Sequence, residues 1–312
     1  MMPSPRSRAQ SGGPAALVLL WLLAWLGGFP IPGADDAFFS GAAIHLARTG
    51  ILANPWIVGW MGWIPGVHFD RFYVHPPFLP WTMAAWLKVF GVSARSLTAF
   101  ACAAGLAAAL AMFALARRLG VGAAAAFLAA ALISCQLLNR GLRPEAAGLA
   151  VLLAGQALML GPGRLRWFLG AFLTCLAPGF HPFLAMVGMA AILMQGLAAA
   201  RREDLGRWPL LLASLAGAAI AAALVLLAAI RGEFGAFLHD FLGHSRLVTP
   251  GTGRRLARFR ETLFVGYEGV PNALALLLSA AAIAAALRSA GRSRAVRLLA
   301  GLLVLVLLGI RF

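Results

Sequence analysis

Two adjacent carboxylates, Asp35 and Asp36, directly follow the first apolar segment of the chain. Such a pair is costly to remove from water unless it is paired with a cation or binds a metal ion. One acid can therefore act as a general base while the other holds a cation or a substrate hydroxyl. The alternative is structural, because acidic residues also stabilise the N-terminal end of a helix that lies at an interface.

Two further segments carry ionisable side chains beside proline. His75 precedes a Pro-Pro pair, which fixes the backbone and holds the histidine rigidly where an apolar segment begins. Arg143 and Glu145 flank a single proline at the start of another segment, and Arg140 with Arg143 suits the forked recognition of a phosphate. Both segments also have structural interpretations: a helix start with an interfacial histidine, and a local Arg–Glu pair that caps a helix.

The composition excludes an ordinary soluble domain. Of the 312 residues, 62% are hydrophobic and 12% charged, and the mean hydropathy is +0.86, whereas soluble domains have about half apolar and about a quarter charged residues. These values indicate an all-α polytopic membrane protein. The net charge is +16, but the arginines lie in short clusters between apolar segments, where they set topology or bind lipid head groups. We therefore expect membrane lipids as partners and no nucleic acid.

The apolar segments predict one transmembrane domain over residues 1–312, with about nine or ten helices of about 20 residues each. The N-terminal segment is predicted to be a retained helix rather than a cleaved signal peptide. Residues 33–75 and 231–268 are predicted external loops, and Asp36 to Arg48 is predicted to form a helix along the interface. The predicted crossings are 14–32, 95–116, 121–139, 145–161, 166–180, 182–200, 208–230, 270–288 and 296–310.

Segment 76–92 decides which groups share a membrane face, because it is short and begins with prolines. If it does not cross, all 6 histidines and every acid except Glu203 and Asp204 lie outside. If it crosses, Glu145 and His181 leave the face that bears the Asp-Asp pair. The basic residues divide evenly in either case, so we prefer the arrangement that gathers the titratable groups at one face.

Five short motifs occur in order along the first half of the chain: GADDAFF at 33–39, AIHLARTG at 43–50, HPPFL at 75–79, ARRLG at 116–120 and LRPE at 142–145. Together they resemble the opening half of the GT-C membrane glycosyltransferases, in particular the group of the protein O-mannosyltransferases and the aminoarabinose transferase of lipid A. The resemblance covers roughly residues 14–200, a core with the external loop 33–75. Residues 201–312 add further helices and the external loop 231–268.

The resemblance implies an inverting transfer of a hexosyl or pentosyl group from a polyprenyl-phosphate donor to a hydroxyl of a lipid, glycan or protein acceptor. The site would face the outside, or periplasm, of the bacterial cytoplasmic (inner) membrane. Asp35 matches the base that deprotonates the acceptor, Asp36 its acidic neighbour, and Glu145 the second acid. Cations are expected near the leaving phosphate, and the candidates are His75, Arg71, Arg143, His181 and Arg246.

The resemblance also suggests candidate ligands for a divalent metal ion. No cofactor is certain, but some relatives use a divalent metal ion, and here Asp36, His75 and Glu145 are the candidate ligands. His181 departs from the pattern, because relatives often carry a lysine at this place.

Two other functions stay open. A transporter or flippase for a lipid-linked substrate usually places ionisable groups near the membrane midplane, whereas the stretches 101–116, 123–138 and 210–230 carry no charge. A non-catalytic GT-C-like relative is the other alternative, since the sequence ends at Phe312, before the further helices and external domain of many relatives.

Overall fold

The computed structural model describes residues 5–30, 34–56, 64–138, 141–161, 163–185, 187–189, 191–192 and 208–248. Within these ranges all regular secondary structure is helical, which confirms the all-α prediction. Some parts of the prediction lie outside the described residues: Arg140, residues 249–268 of the second loop, and the crossings 270–288 and 296–310.

Nine α-helices follow one another through the described residues. Several lie within a few residues of the predicted segments, but α1 begins and ends earlier than the predicted 14–32, and α9 lies in a segment predicted to be a loop. Pro144 stands at the first position of α6, and the predicted interfacial helix at Asp36 to Arg48 is confirmed as a helix by α2. Residues 183–185, 187–189 and 191–192 are also helical. The helices are α1 (Pro5–Leu26), α2 (Ala34–Thr49), α3 (Phe78–Phe90), α4 (Ala94–Arg118), α5 (Ala123–Leu138), α6 (Pro144–Met159), α7 (Arg164–Leu176, followed by a 3-10 turn at Ala177–Gly179), α8 (Trp208–Ala229) and α9 (Phe234–Val248).

The first packing layer joins α1, α4, α5 and α6. Small residues let these helices approach closely, and the contact between Trp21 and Gly105 is the tightest example, because a Cβ at position 105 would overlap the indole ring. The buried indole Nε1 donates a hydrogen bond to Ser134 Oγ on α5 at 3.0 Å. One side chain of α1 therefore contacts two other helices, and its polar atom is satisfied.

The second packing layer positions the polar segments. α2 buries one stripe, Phe39, Ala42, Ala43 and Leu46, whose spacing of three and four residues is that of one helix face. This stripe packs with the loop before α3, with α3 itself and with α9. The two predicted loops therefore contain helices, and these helices pack against the protein.

The end of α8 contacts the segment around α3. The indole Nε1 of Trp81 donates to the Ala229 carbonyl at 3.0 Å, and the Tyr73 hydroxyl oxygen lies 3.1 Å from the Ile230 carbonyl oxygen. Carbonyls at a helix C-terminus have no partner within the helix. The Trp81 indole supplies a donor for the Ala229 carbonyl, while the Ile230 carbonyl accepts the Glu233 backbone N–H at 3.0 Å.

Two of the described helices are long and apolar enough to cross a membrane, Ala94–Arg118 and Leu212–Ala229. Shorter apolar helices cover Gly12–Leu26, Ala123–Leu138 and Pro144–Met159, and the larger number of crossings stays a prediction. Helix α3 has 13 residues and is therefore about 20 Å long, less than the roughly 30 Å of a bilayer core. Segment 76–92 thus contains a helix too short to cross by itself.

Replacing Gly105 by alanine should destabilise the protein. Alanine favours a helix by about 1 kcal/mol over glycine, but overpacking costs about 1–3 kcal/mol, and the new Cβ would overlap Trp21. We expect a lower melting temperature of the protein in detergent. The control is Gly12→Ala in α1, whose Cβ would meet nothing within 4 Å. Equal melting temperatures for the two variants would contradict this packing.

Candidate functional site

Asp36 joins the two acidic segments that the sequence singles out. Its side chain lies in the first turn of α2 and is 4% exposed, and Oδ1 accepts a hydrogen bond from the Leu142 backbone N–H at 2.6 Å. The turn before α6 admits the carboxylate because Gly141 has φ +61° and no Cβ, which would otherwise overlap Asp36. The start of α2 and the start of α6 therefore lie side by side.

The first turn of α6 carries the predicted Arg–Glu pair. Arg143 is the N-cap with an extended backbone, and Glu145 follows in the first turn. The Arg143 Nε lies 3.3 Å from Glu145 Oε1, with side-chain exposures of 36% and 10%. The local-pair interpretation of these residues is thus observed, while about a third of the arginine side chain stays accessible to a ligand.

Three histidines gather near this pair. The rings of His75 and His244 are 4.8 Å apart between centroids, and Phe39 meets the His75 ring edge-on at 5.0 Å. His181 and Arg143 are close enough to His75 for their charges to act on it. Residues from the loop before α3, from α6, from the segment after α7 and from α9 therefore meet at one place.

The electrostatics of this cluster favour neutral imidazoles. Burial lowers the pKa of His75 well below its usual value of 6.5, and the nearby His244, His181 and Arg143 lower it further. Burial also lowers the pKa of His244. At neutral pH these two side chains are therefore hydrogen-bonding groups, and Arg143 supplies the fixed positive charge among the four.

The tautomer of His181 follows from its own hydrogen bond. Its Nδ1 accepts the Phe183 backbone N–H at 3.4 Å, and its carbonyl accepts the Leu184 N–H at 3.0 Å. Nδ1 is therefore the acceptor, and the neutral ring carries its proton on Nε2. His181 begins a helical turn.

Arg71, predicted to bind the donor phosphate, is held by two carboxylates. Its Nε and Nη2 each lie 3.2 Å from Glu233, its Nη1 lies 2.9 Å from Asp70 Oδ2, and the Tyr73 hydroxyl donates to Glu233 at 2.9 Å. The hydrogen bonds from Arg71 and Tyr73 lower the pKa of Glu233, and burial raises the pKa of Tyr73 to about 12. This network joins the loop before α3 to the residue that precedes α9.

For two other predicted residues, Asp35 and Arg246, the structure describes only the backbone position. Asp35 lies in the first turn of α2 and Arg246 near the end of α9, but their side chains lie outside the described part of the structure. Their roles stay predictions. His244 had no assigned role in the sequence analysis, although Asp240 and His244 are four residues apart and thus share one face of a helix. That spacing is the signal that could have identified it.

The predicted metal ligands Asp36, His75 and Glu145 remain a prediction. Among the described residues, a different set, His68, His239 and Asp240, has ligand atoms that all lie within 4.8 Å of one another.

Comparisons with protein families, with curated proteins and with solved structures give no match to this chain. The resemblance to the GT-C glycosyltransferases therefore rests on the motifs in the sequence.

Acidification should destabilise the fold through His75. The pKa of His75 in the folded state lies below the usual 6.5, so between these two pKa values the unfolded chain binds a proton that the folded chain does not. The stabilisation is therefore complete above the usual pKa and is lost as the pH falls toward the folded-state pKa. The loss for one proton is at most about 1.4 kcal/mol per pH unit.

Unfolding in detergent between pH 7.5 and 5 measures this effect. We expect the free energy of unfolding of His75→Asn to depend less on pH than that of the wild type. The matched control is His45→Asn on α2, which should keep the wild-type slope. If His75→Asn and the wild type have the same slope, His75 does not carry the effect.

Proposed function

We propose that this chain is a polytopic membrane glycosyltransferase of the GT-C kind. It transfers a sugar from a polyprenyl-phosphate donor to an acceptor hydroxyl at the outer face of the bacterial cytoplasmic membrane. The observation that carries the proposal is the buried contact between Asp36 and the Leu142 N–H, because it brings the Asp-Asp pair beside Arg143 and Glu145. The transfer requires a base for the acceptor hydroxyl and a cation beside the leaving phosphate. The Asp-Asp pair and Glu145 offer the acids, and Arg143 offers the cation.

The membrane location is supported by the surface of α8. In its apolar window of 18 residues only 11% are buried, whereas 56% are buried in the corresponding window of α4. Leu212, Ile220 and Leu224 are among its exposed side chains. A long helix that is apolar on all sides is typical of a segment surrounded by lipid.

The arrangement of charges favours an enzyme over a transporter. Asp36, His75 and Glu145 lie within three residues of the starts of α2, α3 and α6. Transporters, in contrast, commonly bind substrate near the membrane midplane. In the preferred arrangement segment 76–92 does not cross, so that the two acidic segments share a face.

In the proposed reaction Asp35 removes the proton of the acceptor hydroxyl as its oxygen attacks the anomeric carbon. The bond between that carbon and the phosphate oxygen breaks, and the electron pair leaves with the polyprenyl phosphate. Arg143 compensates the charge of the leaving phosphate. Neutral His75 donates a hydrogen bond to it or to the sugar, and His181 is a second candidate donor.

Asp36 has a different role in this scheme. Its carboxylate accepts the Leu142 N–H and is buried, so it positions the start of α2 and with it Asp35. Glu145 holds the Arg143 guanidinium in place by their ion pair.

The Asp35→Asn variant should lose activity by about 10²- to 10⁴-fold, the usual contribution of a general base. The assay is release of polyprenyl phosphate by the full chain in lipid nanodiscs, with a panel of synthetic polyprenyl-phosphate mannose, glucose and aminoarabinose. Asp70→Asn is the matched control on an exposed loop residue and should retain activity. Wild-type turnover in Asp35→Asn would exclude Asp35 as the base, and a wild type inactive with the whole panel would contradict the proposed donors.

Binding separates the role of Arg143 from that of the base. Arg143→Gln should weaken binding of polyprenyl phosphate about 10- to 100-fold, as expected for loss of a charge-assisted hydrogen bond, whereas Asp35→Asn should bind it normally. Quenching of intrinsic tryptophan fluorescence measures the affinity, with Arg48→Gln at the exposed end of α2 as control. Unchanged affinity in Arg143→Gln would place the phosphate elsewhere.

A further inference from the structure

A second polar cluster lies one turn of α9 away from His244 and is separate from the proposed transferase site. Its centre is Asp240, whose side chain is 0% exposed. Oδ1 lies 3.0 Å from His68 Nδ1 and 2.9 Å from His239 Nδ1, and Oδ2 accepts the His68 backbone N–H at 3.2 Å. One buried carboxylate therefore orients two imidazoles from different parts of the chain.

The charge of this carboxylate is only partly compensated. A buried carboxylate is costly unless a cation or several hydrogen bonds offset it. Among the residues that the structure describes, the groups contacting Asp240 are two histidines and one amide, and none of these is an arginine or a lysine. A bound cation would supply the missing positive charge.

We propose that His68, His239 and Asp240 bind a divalent transition-metal ion of the Zn²⁺ class. Two imidazole nitrogens and one carboxylate oxygen are a ligand set that these ions prefer, with the remaining coordination position taken by water. The inference does not depend on sugar transfer.

The geometry is close to that of a coordinated ion. The three ligand atoms lie within 4.8 Å of one another, whereas two nitrogens bound at about 2.1 Å to a tetrahedral ion lie about 3.4 Å apart. Rotation of the imidazoles, whose side chains are 43% and 49% exposed, closes this difference. If each ring is a neutral Nδ1–H donor to Asp240, its proton moves to Nε2 as Nδ1 becomes a ligand, so no net proton is lost.

The loop around Gly66 fits this arrangement. Gly66 has φ +70°, and a Cβ there would lie 3.6 Å from the His239 ring, so the loop passes directly beside the proposed ligand. An ion held between His68 and α9 would join this loop to the helix. It would thereby fix α9 one turn away from His244, which contacts His75 in the transferase site.

Cobalt is the probe, because tetrahedral Co²⁺ with nitrogen ligands absorbs visible light. The full chain, purified in detergent with a chelator and without a polyhistidine tag, is titrated with Co²⁺ and then with Zn²⁺. We expect one Co²⁺ per chain, displaced by Zn²⁺, and a higher melting temperature in the presence of Zn²⁺.

Three variants and two controls test the assignment. His68→Gln, His239→Gln and Asp240→Asn should weaken Co²⁺ binding by more than the roughly 10- to 100-fold that loss of an outer-shell partner costs. His45→Gln should bind as the wild type does, and so should His75→Gln. Circular dichroism checks folding, and the two histidine variants, changed at half-exposed side chains, keep the test valid if Asp240→Asn does not fold.

Three results of the Co²⁺ titration would contradict the proposed site. Equal Co²⁺ affinity in the wild type and in His68→Gln would exclude this site, as would a wild type that binds no Co²⁺. Loss of binding in His75→Gln but not in His68→Gln would assign the ion to the transferase cluster instead. Each result is independent of whether the chain transfers sugar.

Discussion

The hydrogen bond between the Asp36 carboxylate and the Leu142 amide is the contact on which the arrangement of the candidate site depends. A buried carboxylate must accept hydrogen bonds from the protein, and here the donor is the turn that leads into α6. That turn accepts a bulky anion only because Gly141 has no side chain. The contact therefore constrains two elements at once: α2 must begin at this turn, and α6 must follow it with Arg143 and Glu145 in its first residues.

Helix α9 provides the second constraint. Glu233, just before the helix, binds Arg71 and Tyr73, and Asp240 within it binds His68. All three partners come from the loop before α3. Because α9 is attached to this loop at two points, His244 is held against His75, and the cluster does not depend on that single aromatic contact.

Local signals predicted much of this architecture. The proline at the start of α6, the stripe of apolar residues on α2 and the Pro-Pro pair before α3 each act within a few residues of the chain, and each stands at the element that it predicted. The predictions were less complete where they depended on partners distant in sequence. The expected phosphate leaving group made Arg71 a candidate cation near the donor, but its contact with Glu233 comes from the packing of α9. His68 carries no local motif, and only the fold brings it to Asp240.

The end of α8 has a consequence for the order in which the chain folds. The carbonyl of its last residue, Ala229, accepts the indole N–H of Trp81, which leaves the ribosome well before α8 does. The indole donor is thus already present when the helix emerges, because synthesis from the N-terminus makes the donor before the carbonyl that accepts from it. A permuted chain that began at α8 would reverse this order, and the carbonyl would have no indole donor until Trp81 had been synthesised.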